Sequence, residues 1–176
     1  MKILCWILTA VGREDRILSI ASTWSKQCDK SLFAISGNYT PSIPLHTPIT
    51  WIRTPYKEGL VHNRLLWPKT HYVWRRMQHD HPSYDWYLKA DDDSYINVPL
   101  VRCMLQPRSP SGLYALGRLN RNPRNAPFQW LSGGSGYIFS NAAMRRTAAA
   151  LVSARPSHAC GLGMGGSKRL SYAEDL

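Results

Sequence analysis

The order of strand-like and helix-like segments predicts a single α/β layered domain with a largely parallel sheet. Three observations carry that prediction. Ile3 to Thr9 is almost continuously apolar, as a strand covered on both faces must be. Segments of helical period follow it and recur between later β-rich stretches. One of those stretches, Trp86-Tyr87-Leu88, runs through Lys89 and Ala90 into three consecutive acids, Asp91, Asp92 and Asp93. Open α/β sheets bind their ligands at that carboxyl edge.

Taken in order, Ile3 to Thr9 is the first strand. Lys2 ahead of the apolar run Ile3 to Val11 also resembles a short signal peptide, but the helical segment that follows at once assigns the run to the core. Ile17, Ile20, Ala21 and Trp24 fall at i, i+3, i+4 and i+7, which predicts a helix from about Glu14 to Lys26 with Trp24 in the core. Leu32 to Ser36 is a second strand. Gly37 to Pro48 is a loop carrying the N-glycosylation sequon Asn38-Tyr39-Thr40. Ile49 to Thr54 is a third strand and Pro55 to Asn63 another loop. Leu66, Thr70, Val73 and Met77 mark one face of a helix starting near Pro68, a residue suited to a first turn.

The acid-tipped strand comes next, then a helix from Val98 to Gln106 and a strand from Leu113 to Gly117. Arg118 to Gln129 reads as a polar loop with three arginines, Arg118, Arg121 and Arg124. Gly133 to Ser140 is glycine-rich at its start and a strand at Tyr137-Ile138-Phe139, and Ser140 or Asn141 can cap a helix running to about Ala154. Glycines at Gly133 and Gly134 fit either close backbone approach to a ligand or a tight turn before the strand. Gly161 to Gly166 is flexible by composition. Ser171-Tyr172-Ala173-Glu174 has capping-box spacing, predicting a helix from Tyr172. The chain stops at Leu176, inside that helix's first turn, so the sequence reads as cut short.

At 176 residues and 44% hydrophobic content the chain is one domain with enough material for a core. Lys plus Arg outnumber Asp plus Glu by 22 to 11, a net charge of +11 that suits an anionic partner such as a nucleotide phosphate. The basic residues are scattered, with no basic tract interleaved with aromatics, so nucleic acid is not the expected partner. No stretch approaches the roughly 20 apolar residues that span a bilayer. Cys5, Cys28, Cys103 and Cys160 lie far apart without a zinc-type pair; they fit a disulfide-bonded secretory protein or buried thiols equally well.

Chemistry concentrates in the acids. Carboxylates at i and i+2, such as Asp91 and Asp93, can meet one hard cation, Mg²⁺ or Mn²⁺, where the chain turns on leaving the strand. With open positions left over, that cation would hold a pyrophosphate. A solvated acidic turn capping the next helix is the alternative; the aromatic strand before it, in a chain poor in acids, favours the metal. Asp175, near a helix N-terminus, either complements the helix dipole or serves as a general base.

Several segments carry a resemblance. ILCWILTAVG, RILSIASTWSKQC (Arg16 to Cys28), LLWPKTHYVW (Leu65 to Trp74), WYLKADDDSYI (Trp86 to Ile96), WLSGGSGYIFSNAAMRR (Trp130 to Arg146) and the terminal AEDL resemble, in order, the core 1 β1,3-galactosyltransferases. These are family 31 glycosyltransferases, related to the fringe enzymes. The resemblance implies a GT-A fold with a Rossmann-like, largely parallel mixed sheet, here without its C-terminal part. It implies Mn²⁺-dependent transfer of galactose, with inversion, from UDP-galactose to GalNAc on Ser or Thr of a glycoprotein. Asp91 and Asp93 would hold Mn²⁺, Asp92 would support the nucleotide, and Lys69 would lie near it. Trp130, Gly133 and Gly134 would form the sugar and acceptor face, and Asp175 would be the catalytic base. Cys5 and Cys28 match positions that pair in relatives, Cys160 resembles a cysteine whose partner lies beyond this chain, and Cys103 has no counterpart.

The resemblance further implies a Golgi-lumenal protein held by an N-terminal membrane anchor that this chain lacks, and it admits a homodimer. Two departures matter. GLVHNR stands where relatives carry an acidic segment, and the segment after EDL that supplies a metal-binding His is absent. Little transferase activity is therefore expected of these 176 residues alone. A non-catalytic relative, acting as a folding helper or binding module, is the alternative function.

Overall fold

A computed structural model describes residues 1–44, 47–57, 66–121 and 129–153. Its strands and helices alternate as β1 (Ile3–Leu8), α1 (Glu14–Ser22), β2 (Lys30–Ser36), β3 (Trp51–Thr54), α2 (Leu66–Asp80), β4 (Trp86–Asp91) and α3 (Val98–Leu105). There follow β5 (Ala115–Gly117), β6 (Leu119–Arg121), β7 (Gln129–Leu131), β8 (Tyr137–Ser140) and α4 (Asn141–Ser153). One six-stranded sheet runs in the order β3-β2-β1-β4-β8-β5, and β6 and β7 form a separate two-stranded hairpin. β3, β2, β1 and β4 are mutually parallel, while β8 is antiparallel to both β4 and β5. The sheet is thus mixed and mostly parallel, compatible with a glycosyltransferase fold.

Strand alternation sends side chains to two cores. Ile3, Cys5 and Ile7 of β1 join Trp86, Leu88 and Ala90 of β4 beneath α1 and α3, which contribute Ile17, Ile20, Val98 and Leu105. Leu4, Trp6 and Leu8 face the other way with Tyr87, under Val73, Trp74 and Met77 of α2 and Met144 of α4. All six residues of β1 are buried, as its unbroken apolar run requires of a central strand.

The helix expected to reach Lys26 ends at Ser22 and gives way to a 3-10 turn, Trp24–Gln27. Hydroxyls cause the break. Ser22 and Thr23 both donate to the Ser19 carbonyl, at 3.0 and 2.6 Å, and Ser25 donates to Ile20 at 2.9 Å. Such back-bonding competes with continued helix. The turn buries Trp24 to 1% exposure and carries Cys28 to Cys5, with which it forms a disulfide across 23 residues of sequence. β3 starts at Trp51, two residues later than expected, because the chain is still turning at Thr47, whose carbonyl accepts from Ile49. α3 is capped by Asn97, whose side chain accepts from the Leu100 amide at 3.0 Å.

The largest departure is the hairpin inside the stretch expected to be loop. Leu119, Asn120 and Arg121 pair with Leu131, Trp130 and Gln129. These three-residue strands are too short to show the apolar alternation that marks a strand by sequence; cross-strand pairing makes them. Among the described residues no helix is long and apolar enough to cross a membrane. Asn38 of the sequon is exposed in a turn after β2. Cys160 and Arg124 lie outside the described residues.

Asp29, beside the disulfide, ties three elements together. Its Oδ2 accepts from the Ile3 amide at 2.7 Å and from Arg102 of α3 at 2.7 Å. Burial works to raise this carboxyl, but those hydrogen bonds outweigh it and hold it below the usual carboxylate range. A depressed folded pKa contributes stability that is present above the unfolded value and lost as pH falls through the folded one. Asp29→Asn should therefore unfold at lower denaturant than the wild type at neutral pH, with the gap closing as pH falls below the ordinary aspartate range. Reduction of Cys5–Cys28 should remove about 3 kcal/mol in the same denaturation assay, set by the loop it closes.

Candidate functional site

The site follows from strand order. β1 feeds α1 and then β2 on one side, while β4 lies on its other side, so the connections leaving β1 and β4 diverge and open a crevice at the carboxyl ends. The β1–β4 register pairs Leu8 with Asp91, which sets Thr9 beside Asp92. Thr9 Oγ1 donates to Asp92 Oδ2 at 2.9 Å. Arg16, in the first turn of α1, donates through Nη1 to Asp92 Oδ1 at 3.1 Å and lies 3.4 Å from Asp93 Oδ2. The hydrogen bond to Asp92, and then the charges of Asp92 and Asp93, push the Arg16 guanidinium above its ordinary value.

Asp91 is held from the opposite face of the sheet. Lys89, two residues earlier, points the same way, is 1% exposed, and brings Nζ to 2.9 Å from Asp91 Oδ1. Its ammonium sits 6.0 Å from the Trp6 ring centroid and 5.7 Å from that of Tyr137, within cation–π range. A charge this deep is tolerable only with such a partner. Lys69 is fully buried in α2, the helix that covers this same face.

A turn closes the acid segment, with the Ser94 amide donating to the Asp91 carbonyl at 3.2 Å. Ser94 Oγ then donates to the Gly134 carbonyl at 2.8 Å, tying the acids to the glycine loop before β8. That loop is itself closed by Gly136 N to Gly133 O at 3.0 Å. A Cβ at Gly134 would come 3.7 Å from Asp91 Oδ2, so glycine leaves the approach to that carboxylate open. Gly136 is more constrained. It has φ of +78°, and a Cβ there would lie 2.8 Å from the Lys89 carbonyl oxygen.

Asp91, Asp92, Asp93 and Gly134 are thus brought together, and Gly133 opens the same loop. Trp130 is half-buried on β7, its Nε1 without a hydrogen-bond partner among the described residues. Asp175 lies outside the described residues. Thr9, Arg16, Lys89 and Gly136 belong to the site and were not singled out from sequence. The signals were present: a lysine inside a buried strand, and a cation in a helix's first turn. A groove of about 340 Å³ runs between α1 and the acid turn, walled by Arg16, Ser19, Asp92, Asp93, Ser94 and Tyr95 among others.

The donor set suits a hard divalent cation. It offers carboxylate oxygens without thiol or imidazole; Asp93 is 62% exposed, and Asp91 faces a residue with no side chain. Among the described residues no group of three or more His, Cys, Asp or Glu forms a cage, so Asp91 and Asp93 could hold such an ion only with ligand oxygens completing its shell.

The sequence model of the family described as Fringe-like matches residues 9–169, nearly the whole chain and all of this site. The chain belongs to the Fringe-like family. It is also similar to glycoprotein-N-acetylgalactosamine 3-beta-galactosyltransferase 1 of Xenopus laevis, with 26% identity over 156 residues, 83% of this chain and 38% of that protein. This Fringe-like chain therefore spans well under half the length of the curated relative.

In the Fringe-like site, the conformation of the glycine loop depends on Gly136. Gly136→Ala should destabilise the fold by about 1–3 kcal/mol, through the left-handed backbone and the clash with strand β4. Chemical denaturation would measure it; an unchanged midpoint would show that the loop can relax away from Lys89.

Proposed function

We propose that the chain is a GT-A glycosyltransferase domain transferring galactose, with inversion, from UDP-galactose to the 3-hydroxyl of GalNAc α-linked to Ser or Thr. The carrying observation is the acid turn at the carboxyl end of β4, fixed opposite the end of β1 at the switch point of the sheet. The sugar and acceptor come from the name of the Xenopus relative and from the resemblance in the motifs. The setting is the Golgi lumen, consistent with the disulfide and the exposed sequon.

In this reading Asp91 and Asp93 hold Mn²⁺, which when bound neutralises the diphosphate of the departing UDP. Asp92 does not reach for the ion. It is engaged by Thr9 and Arg16 and keeps the turn in shape beneath the nucleotide. Lys69, fully buried in α2, lies near the nucleotide without being exposed to it. Trp130, Gly133 and Gly134 border the sugar and acceptor, where small residues and an indole face accommodate a pyranose ring. Inversion by single displacement needs one base on the acceptor side and no nucleophile from the enzyme; Asp175 is assigned that base.

A second reading has one observation in its favour. Every acid of the triplet already faces a protein cation, so the cluster could be a closed ion-pair network in a non-catalytic folding helper or binding module.

Isothermal titration separates the two. UDP should bind more tightly with Mn²⁺ than without, and Asp93→Ala should erase that difference; equal UDP binding with and without metal favours the non-catalytic relative. In a form that transfers galactose to a GalNAc-peptide, Asp175→Asn should slow transfer by roughly 10²–10⁴-fold and leave UDP affinity unchanged. Full activity in that variant would place the base elsewhere.

A further inference from the structure

The proposed metal site contains a cation of its own that is oddly placed. Arg16 occupies the first turn of α1, where the helix dipole favours acids, and Glu14 and Asp15 beside it follow that rule. Its guanidinium crosses to β4's turn, where one nitrogen serves both Asp92 and Asp93. The two contacts differ. Asp92 is mostly covered, at 11% side-chain exposure, and is also held by Thr9, so Arg16 is anchored there. Asp93 is 62% exposed and is held at the longer distance, 3.4 Å. It is the carboxylate that Arg16 can yield.

We infer that Arg16 is a positioning residue that makes metal binding conditional on the nucleotide. This rests on the reading of Asp91 and Asp93 as metal ligands. Asp91, Asp92 and Asp93 face two cationic side chains, Lys89 and Arg16, leaving one net negative charge. A divalent ion on Asp93 would lie within a few ångströms of the guanidinium, and like charges at that range repel even where water screens them. Metal alone therefore binds weakly. A diphosphate brings negative charge to both cations at once and converts repulsion into attraction. Ion and nucleotide thus bind with positive coupling, and by linkage each raises the affinity of the other by the same factor. Lys89 contributes to the charge but is buried and fixed to Asp91; Arg16 faces the groove and can turn from Asp93 to phosphate.

The test measures Mn²⁺ binding to the full 176-residue chain by the electron paramagnetic resonance of free Mn²⁺, with and without UDP. Arg16→Gln retains a donor for Asp92 and removes the charge. It should bind Mn²⁺ alone roughly ten-fold more tightly than the wild type, while the gain in Mn²⁺ affinity on adding UDP falls by a similar factor. Arg16→Lys keeps the charge and should keep most of the coupling. A merely structural role would weaken both affinities together and lower the melting temperature; that result, or two unchanged affinities, overturns the inference. Arg16→Ala replaces the glutamine variant should the latter not fold. A wild type that binds no Mn²⁺ under either condition removes the metal site itself. A wild type that binds it with a coupling Arg16→Gln does not alter removes only the role of Arg16.

Discussion

The parallel pairing of β1 with β4 is the constraint on which the rest of the structure depends. Six consecutive register pairs, from Ile3 opposite Trp86 to Leu8 opposite Asp91, fix where both strands end. Because they end level, the first residue beyond β1 meets the first residue beyond β4, Asp92, and the helix grown from β1 brings Arg16 within reach of the same turn. A slip of one residue would exchange the faces of every side chain on β4. Lys89 and Asp91 would then turn toward Ile7 and Ile17, and Ala90 toward Trp6. The hydrophobic cores on the two faces thus enforce the geometry of the acids as directly as any hydrogen bond between them.

Much of this was legible in the sequence, and the reasons are specific. β1 was readable because a strand buried on both faces needs an unbroken apolar run, which few other structures demand. The acid turn was readable because three consecutive acids cannot continue a strand buried on both faces. Trp24 was placed in the core by its spacing, although its helix stops short of it; three hydroxyls around it, at Ser22, Thr23 and Ser25, take the carbonyls that the next turn would need. The Cys5–Cys28 pairing came only through resemblance, since four widely spaced cysteines leave the pairing open. The β6–β7 hairpin was not readable. Its strands are only three residues long, and nothing local tells Leu119-Asn120-Arg121 from a loop until the partner strand is present.

The division of the acid triplet was equally beyond the sequence. Three adjacent aspartates look equivalent in one dimension. In the fold, the alternation of β4 carries Asp91 to the α2 and α4 face with Lys89, and the turn carries Asp92 back to α1. The i, i+2 spacing that suggests a shared ion is thus only half of the geometry. The other half is that each outer carboxylate has one oxygen committed to a cation from a different side of the sheet. Such paired cations offset the mutual repulsion of three carboxylates in consecutive residues.

Three departures from local preference border the acid turn, and a further buried lysine, Lys69, lies in α2 on the same side of the sheet as Lys89. Lys89 puts a charge in the core, held by Asp91 and two aromatic faces. Arg16 sets a cation against a helix dipole and gains two carboxylates. Gly136 takes a left-handed conformation so that the loop into β8 can cross the Lys89 carbonyl. Other segments follow ordinary rules: acids begin α1, an asparagine caps α3, and β1 is apolar throughout. A fold under no demand but stability would have little reason to collect its exceptions at one strand end. Their meeting at Asp91–Asp93 is what the proposed ligand site would ask of this edge of the sheet.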